Sequence, residues 1–313
     1  MLIYFVRRLG WALVVLALVA LATFALTYLV PADPARVIAG LRASAADVER
    51  IRHALGLDQP FLVQLGAYLL RLIRLDFGHS YVQNREVLPL ILERIPATIQ
   101  LAMGGLAVGL AIGVPLGALA AAHRGSWIDR LATILAVVLV AAPTFWIGYV
   151  LKNLLAFQPL RAWHVGIFPI GGYQPLDVRY LALPALTIGF GVAAYYTRLT
   201  RAMMLDEMSR DYVRTARAKG LAESRVRWRH AFRNALGPIL TQLGLDLGVF
   251  LGGVVVIEQV FTWPGIGKLA VDSIKTVDVP LIMGTVLFGT LFIVLANIAV
   301  DVGNALLDPR IRR

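Results

Sequence analysis

The chain has 313 residues, of which 58% are hydrophobic and only 16% are charged. A soluble protein of this length needs more charge to cover its surface, so the composition excludes an ordinary soluble enzyme and a disordered scaffold. The net charge of +11 points to a nucleic acid or a membrane surface, and the apolar content favours membrane lipid over nucleic acid. The lack of cysteine excludes disulfides, thiolate metal sites and cysteine nucleophiles.

The first predicted element is a membrane span over residues 9–30, a run without any charge. It is too long for the apolar region of a signal peptide, and no small-residue cleavage site precedes Pro31. Further spans are predicted for residues 97–122, 131–151, 180–197, 234–257 and 279–300. The predicted fold is therefore an all-α membrane protein with six transmembrane helices and both termini on one side.

The distribution of lysine and arginine predicts the orientation. With a cytoplasmic N-terminus, the inner segments carry 17 basic residues in 65 positions and the outer segments carry 13 in 115. Basic residues concentrate on the cytoplasmic side of membrane proteins, so both termini are predicted to be cytoplasmic. Residues 31–96 then form a single extracytoplasmic loop, and the interleaved polar and apolar residues of 61–75 predict an amphipathic helix on the outer membrane face.

Glycines recur every four residues in the second and fifth spans. Residues four apart share one helix face, and small residues let two helices approach closely inside lipid. These stripes predict tight helix packing, with a surface that slides between conformations as the alternative. Their members are Gly105, Gly109, Gly113, Gly117, Gly244, Gly248 and Gly252.

The long inner segment, residues 198–233, holds ten basic and four acidic residues. Its pattern predicts two short helices with a turn at Gly220, where glycine adopts the left-handed conformation, and with Ser224 capping the second helix. Such a basic amphipathic hairpin suits either an anionic lipid surface or a groove on a soluble partner.

Asp246 is the only carboxylate deep inside a predicted span, about 18 Å from either bounding charge at 1.5 Å per residue. A carboxylate there is costly unless it is paired, protonated or hydrated. Three roles follow: it lines a pathway, it bonds a polar group on another helix, or it is a protonated acid beside lipid.

The motifs for catalysis and nucleotide binding are missing. The segment ending in Gly267 and Lys268 has Thr262 and Leu269 at two of the positions that define a phosphate-binding loop. Intramembrane proteolysis requires paired aspartates, a serine with a base, or a zinc-binding helix, and none is present. We therefore expect no enzyme activity, no metal site and no cofactor in this chain.

Ala216 and Gly220, separated by three residues, resemble the "EAA" loop of ABC importer permeases, although Arg214 and Thr215 replace its glutamate and first alanine. The chain is similar to the dipeptide and oligopeptide branch of that family along its whole length. The fragments that carry this resemblance begin at Met1, Gly56, Asp76, His230, Glu258 and Asp308, and the last of them ends at Arg312.

The resemblance implies a type I ABC importer permease fold in a bacterial cell membrane. It also implies a second homologous permease, cytoplasmic ATPase subunits that bind ATP and Mg²⁺, and an extracytoplasmic substrate-binding protein. The implied cargo is dipeptides, oligopeptides or related solutes such as nickel or haem. A self-sufficient secondary transporter or channel, which would work without an ATPase, is the alternative function, and a structural membrane adaptor is a third.

The resemblance also implies site residues. Residues 198–233 form the loop that couples the permease to the ATPase. Its predicted contact residues are Asp211, Thr215, Ala216, Lys219, Gly220, Leu221, Glu223 and Ser224. Asp246 is predicted to line the translocation pathway. Glu258, Trp263 and Gly265 are predicted to face an outer gate or the binding protein, and the alternative for this loop is a re-entrant connection packed against the sixth span.

Overall fold

The computed structural model describes residues 2–29, 33–40 and 43–307. This part of the chain is helical, and its only β-type pairing is an isolated bridge between His79 and Glu86. Helices are the expected outcome for apolar segments, because a helix satisfies its own backbone hydrogen bonds where lipid offers none. Val30, at the end of the first predicted span, and the fragment from Asp308 to Arg312 lie outside the described residues.

The helices in chain order begin with four in the N-terminal region and end with one of 29 residues. They are α1 (Leu2–Leu29), α2 (Pro34–Ala39), α3 (Ala45–Ala54), α4 (Phe61–Ile73), α5 (Val87–Leu92), α6 (Ile95–Ala122), α7 (Trp127–Ala141), α8 (Thr144–Leu151), α9 (Gln158–Trp163), α10 (Val178–Ser209), α11 (Asp211–Ala218), α12 (Glu223–Arg225), α13 (Arg233–Leu251), α14 (Val255–Val260), α15 (Ile266–Lys275) and α16 (Val279–Leu307). Two π-helical segments, Lys152–Phe157 and Val226–Phe232, join α8 to α9 and α12 to α13.

Among the described residues, five stretches are long and apolar enough to cross a membrane: Arg7–Leu26, Val87–Ala122, Val178–Ser209, Glu223–Leu251 and Val279–Ile298. Each overlaps one predicted span. The fourth predicted span extends well beyond its expected end at residue 197, because α10 continues as one helix to Ser209. The first residues of the predicted inner loop 198–233 are therefore part of α10.

The predicted third span, residues 131–151, is not one straight helix. It consists of α7 and α8, which are bent by 100° at a break between them. Pro143 causes the break, because proline lacks the backbone N–H and drives the preceding residue out of the helical region. Ala142 accordingly has an extended conformation, with ψ of 129°. Six spans are reached only if the bent pair counts as one.

The predicted fifth span, residues 234–257, is also interrupted. Its helix α13 ends at Leu251, and a separate helix, α14, begins at Val255. Between them Gly253 has φ of +113°, a conformation that side-chain-bearing residues rarely adopt. The last part of the predicted span therefore belongs to the connection that follows it.

The packing predicted for the glycine stripe of the second span is confirmed. The four glycines of the stripe in α6 are buried, and they lie against the same face of α10. A Cβ atom at Gly113 would lie 2.6 Å from the carbonyl oxygen of Ala193, so only glycine permits this approach. Gly248 likewise faces α16, where a Cβ would lie 2.8 Å from the Cβ of Ala296.

The helix predicted within residues 61–75 is present as α4. One face packs against α1 and α16, and there the ring of Tyr68 stacks on Phe24 with 5.3 Å between centroids. The opposite face carries Leu62 and Ile73, which are 76% and 80% exposed. The outward face of α4 is thus apolar, which is the property of a helix in contact with lipid or with another subunit. Its position on the membrane remains a prediction.

Candidate functional site

The basic hairpin, which we define as residues 210–232, follows α10 directly. Arg210 is extended, with ψ of 151°, so the chain turns sharply before α11 begins. The predicted turn at Gly220 is confirmed: its φ is +76°, and its N–H donates to the carbonyl oxygen of Arg217 over 2.9 Å. A Cβ at Gly220 would meet no atom within 4 Å. Glycine is needed here for backbone conformation and not for space.

The basic hairpin has a small apolar core of its own. Val213 and Val226 are fully buried, Ala216 is 6% exposed, and Leu221 packs beside them. Arg217 and Glu223 form an ion pair of 2.6 Å across the turn. The two arms of the hairpin are therefore held together by contacts within the hairpin itself.

Polar contacts attach the basic hairpin and its surroundings to the long helices. The Arg227 guanidinium donates to the carbonyl oxygen of Ala122, at the end of α6, over 3.3 Å. The Tyr212 hydroxyl donates to Glu207 on α10 over 2.5 Å. These two hydrogen bonds connect the hairpin to the end of α6 and to α10.

A buried ion pair close to the basic hairpin was not predicted from the sequence. Arg201 on α10 donates two hydrogen bonds, of 2.5 and 2.8 Å, to the two carboxylate oxygens of Asp129, which is 5% exposed. The N–H of Gly125 donates to the same carboxylate over 2.9 Å. In the sequence, Asp129 stands in the short segment between the second and third predicted spans, beside basic residues. An acid among basic residues is the only feature of the sequence that could have indicated this ion pair.

Most of the predicted contact residues of the hairpin are exposed: Asp211, Thr215, Lys219, Gly220, Glu223 and Ser224. Ala216 is buried in the hairpin core and Leu221 is half-buried, so they support the hairpin instead of presenting a surface. The predicted capping role of Ser224 is wrong. The second helix begins one residue earlier, at Glu223, and its N-cap is Ala222 without any side-chain bond.

Asp246 is half-buried on α13 and lies opposite α10. The Tyr196 hydroxyl donates to its Oδ2 over 2.8 Å, and Gln242, one turn earlier on the same helix, donates to its Oδ1 over 2.8 Å. Of the roles that the sequence left open, a bond between helices is therefore present. The role in a translocation pathway stays a prediction.

Glu258 lies in the outer loop, defined here as residues 252–278, and its side chain is fully buried. Its carboxylate accepts hydrogen bonds from the N–H of Lys268 over 2.6 Å and from the Thr98 hydroxyl over 3.2 Å. Burial raises the pKa of the Glu258 carboxyl, and the hydrogen bonds from Lys268 and Thr98 oppose that shift. A Cβ at Gly265 would collide with this carboxylate, so glycine is needed there for space.

Trp263 completes this packing. It is fully buried, and its indole N–H donates to the carbonyl oxygen of Ala97, at the start of α6, over 2.8 Å. An outward-facing position for Glu258 and Trp263 is therefore wrong, because neither side chain reaches the surface. The contacts favour the re-entrant alternative, with α6 as a main neighbour. A part in an outer gate stays a prediction, and Thr262 is the exposed residue of this turn.

The described ranges contain no cluster of three or more histidine, aspartate or glutamate side chains that could hold a metal ion.

Comparison with known proteins gives matches along nearly the whole chain. Residues 113–313 match the family described as binding-protein-dependent transport system inner membrane component, and residues 1–102 match the N-terminal family of such membrane components. A putative peptide transport system permease protein of Brucella abortus (strain 2308) is 42% identical over 312 residues, which are 98% of each chain. The glutathione transport system permease protein GsiC of Escherichia coli (strain K12) is 38% identical over 312 residues, covering 100% of this chain and 99% of the relative.

Proposed function

Because the chain belongs to the family of binding-protein-dependent transport system inner membrane components, we propose that it forms half of the translocation pathway of an ATP-driven peptide importer. It is a multi-pass membrane protein and a transport component. We place it in the bacterial cell membrane with both termini in the cytoplasm, in agreement with the basic residues of its inner segments.

Each proposed partner has a separate role in transport. Cytoplasmic ATPase subunits bind ATP and Mg²⁺ and hydrolyse the nucleotide, a second homologous permease supplies the other half of the pathway, and a substrate-binding protein delivers cargo outside. Family membership disfavours the alternative of a self-sufficient secondary transporter or channel.

The observation that carries the coupling proposal is the construction of the basic hairpin. It has its own apolar core, it is bonded to the ends of α6 and α10, and it exposes Asp211, Lys219 and Glu223. A unit with these properties can be seated in a cleft of the ATPase and move as one body. Binding and hydrolysis of ATP would then change the positions of the attached helices.

The proposed cargo is a short peptide or a related small solute. The names of the similar proteins refer to peptides and to glutathione, itself a tripeptide. We propose that Asp246 contributes a negative charge to the pathway, where it would attract the ammonium group of a peptide. Tyr196 and Gln242 orient its carboxylate, and its half-exposed position leaves it within reach of cargo.

The decisive experiment is uptake into proteoliposomes that contain both permeases with or without the ATPase subunits. Labelled dipeptide and glutathione should accumulate only when the ATPase, internal ATP and the binding protein are all present. Uptake that follows an ion gradient without the ATPase would establish the secondary transporter instead. Competition by unlabelled peptides, haem and nickel ranks the cargo classes.

Docking of the binding protein is tested separately at the outer loop. A cysteine at the exposed Thr262 should crosslink to the binding protein when ATP is bound. A cysteine at the buried Ser273 is the matched control, since its side chain is 2% exposed. Absence of any crosslink at position 262 would count against a role of this loop in docking.

A further inference from the structure

A cavity of about 580 Å³ lies between α1, α4 and α16 and is closed on one side by the segment from Asp76 to Tyr81. Its size falls within the range of roughly 300–1,000 Å³ that is usual for small-molecule sites. It is remote from the basic hairpin and from Asp246, none of whose residues line it. In the predicted orientation it opens on the outer side of the membrane.

The cavity has an apolar wall and a polar rim. Phe24, Leu72, Met283 and Leu287 contribute to the wall. Two carboxylates of the rim are already engaged within the chain: Asp33 pairs with Arg52, and Asp76 accepts the N–H of Gly78 over 2.8 Å. This division matches an amphipathic molecule better than a wholly polar one.

Arg71 places a guanidinium in the lining of the cavity, together with the charged side chains of Arg52, Asp33 and Asp76. The described residues place no carboxylate within ion-pair distance of its guanidinium, and its side chain is exposed. Burial raises the pKa of two phenols of the cavity wall, Tyr68 (to about 12) and Tyr81. The nearby Arg71 opposes this shift in both, and the carboxylate of Asp278 adds to it for Tyr81. A guanidinium beside phenol donors is suited to a phosphate group.

Tyr68 supplies an independent indication of a ligand. It is 7% exposed, and its hydroxyl has no hydrogen-bond partner among the described residues. A buried hydroxyl without a partner is unfavourable, and such groups are rare in folded proteins. Because this residue forms part of the cavity wall, a molecule with oxygen acceptors in the cavity would bring the missing partner close to it.

The surroundings of the cavity indicate where that molecule comes from. Leu62, Leu70 and Ile73 on the outward face of α4 are 50% exposed or more, so the helix that borders the cavity is itself apolar outside. Tyrosines are enriched at the boundary between lipid and water, and an apolar helix beside them lies at the same level. These features fit a cavity mouth at the headgroup level of a bilayer.

We propose that this cavity binds a phospholipid of the outer leaflet, with an acyl chain along Phe24, Leu72 and Leu287 and the phosphate beside Arg71. The phosphate and ester oxygens are the acceptors available to Tyr68. The bound lipid fills the space between α4 and the two long helices and fixes the outer helix against the bundle.

The test measures lipid retained by the complete transporter complex, purified from membranes and washed in detergent. Native mass spectrometry counts phospholipids per complex, and phosphatidylethanolamine and phosphatidylglycerol are then added back as probes. We expect Arg71→Ala and the cavity-filling Ala67→Trp to lower the retained lipid at least about fivefold, which corresponds to about 1 kcal/mol of binding. Arg74→Ala is the matched control, because this arginine lies at the end of the same helix and outside the cavity lining.

Tyr68→Phe keeps the volume of the side chain and removes its hydroxyl, so we expect a smaller loss of lipid, about twofold. If Ala67→Trp does not fold, Arg71→Ala still tests lipid binding, because the exposed side chain of Arg71 contributes little to folding. Equal lipid in Arg71→Ala, Arg74→Ala and the unchanged protein would overturn the proposal, as would displacement of the lipid by peptide cargo. The readout needs neither ATP nor uptake, so it is independent of the proposed import function.

Discussion

The basic hairpin and the outer loop both connect two spans, and both combine glycines with charged residues, yet they are built in opposite ways. The hairpin keeps Val213 and Val226 inside and turns its charged side chains outward. The outer loop keeps Glu258 and Trp263 inside and exposes Thr262. The hairpin therefore has a polar exposed surface, whereas the loop is packed against the start of α6.

The glycines of the two regions also differ in the reason why glycine is needed. Gly220 has open space around it and a positive φ, so a side chain there would strain only the backbone. Gly265 has extended backbone, and a side chain there would strike the buried Glu258. One residue type thus serves conformation in the hairpin and packing in the loop, and substitutions separate the two uses.

The largest effect is expected in the outer loop. Glu258→Ala leaves the N–H of Lys268 and the hydroxyl of Thr98 without their acceptor and opens a cavity, which should cost about 3 kcal/mol of folding stability. Thermal unfolding of the purified complex measures the loss. Glu258→Gln, which keeps the volume and one acceptor oxygen, should lose less than half as much. If Glu258→Ala unfolded at the original temperature and only failed to bind the binding protein, the packing role would be contradicted.

The next effect is a loss of coupling without a loss of folding. Gly220→Val forces a branched residue into the left-handed region at roughly 1–2 kcal/mol, and we expect uptake to fall at least about tenfold. Insertion in the membrane should be unchanged, and the strain should lower the unfolding temperature by only a few degrees. Gly220→Asn is the matched control, because asparagine tolerates this conformation and should retain most uptake. Normal uptake and ATPase copurification with Gly220→Val would overturn the coupling role.

A third effect is expected on α13, the helix that joins the two regions. Asp246→Asn keeps the shape of the side chain but removes its charge, so peptide uptake should fall by about three- to tenfold while assembly stays intact. Tyr196→Phe removes the bond between helices and keeps the charge. It should cost about 0.6–1.7 kcal/mol of stability and leave most uptake. Unaltered uptake of every substrate by Asp246→Asn would exclude the pathway role.

The smallest effect concerns the ion pair of the basic hairpin. Arg217 and Glu223 are 39% and 50% exposed, and surface pairs of this kind contribute about 0–1 kcal/mol. Arg217→Ala should therefore lower the unfolding temperature only slightly and keep uptake above about half of the original value. A double-mutant cycle with Glu223→Ala measures the pair itself. A large coupling energy would show that the hairpin depends on this pair and not on its apolar core.

The sequence predicted the spans because their apolar length is a local property. It did not predict the break at Ala142, because hydropathy is the same on both sides of Pro143 and proline also occurs inside unbroken helices such as α6, at Pro115. The sequence predicted that Glu258 faces an outer gate or the binding protein, because a charge normally marks the end of a span. One donor to its carboxylate, Thr98, lies 160 residues away along the chain. A single sequence gives no means of pairing Glu258 with Thr98 or Arg201 with Asp129.

The length of α10 has a mechanical consequence. Its 32 residues extend about 48 Å, whereas the hydrocarbon core of a bilayer is about 30 Å thick. Pro184 lies near its N-terminal end and removes one backbone hydrogen bond there, so bending of the helix is easiest at this residue. The rod from Pro184 to Ser209 is about 38 Å long, so a rotation of about 10° displaces its tip by about 7 Å. A small change of angle at Pro184 thus becomes a displacement of more than one helical turn where α11 begins.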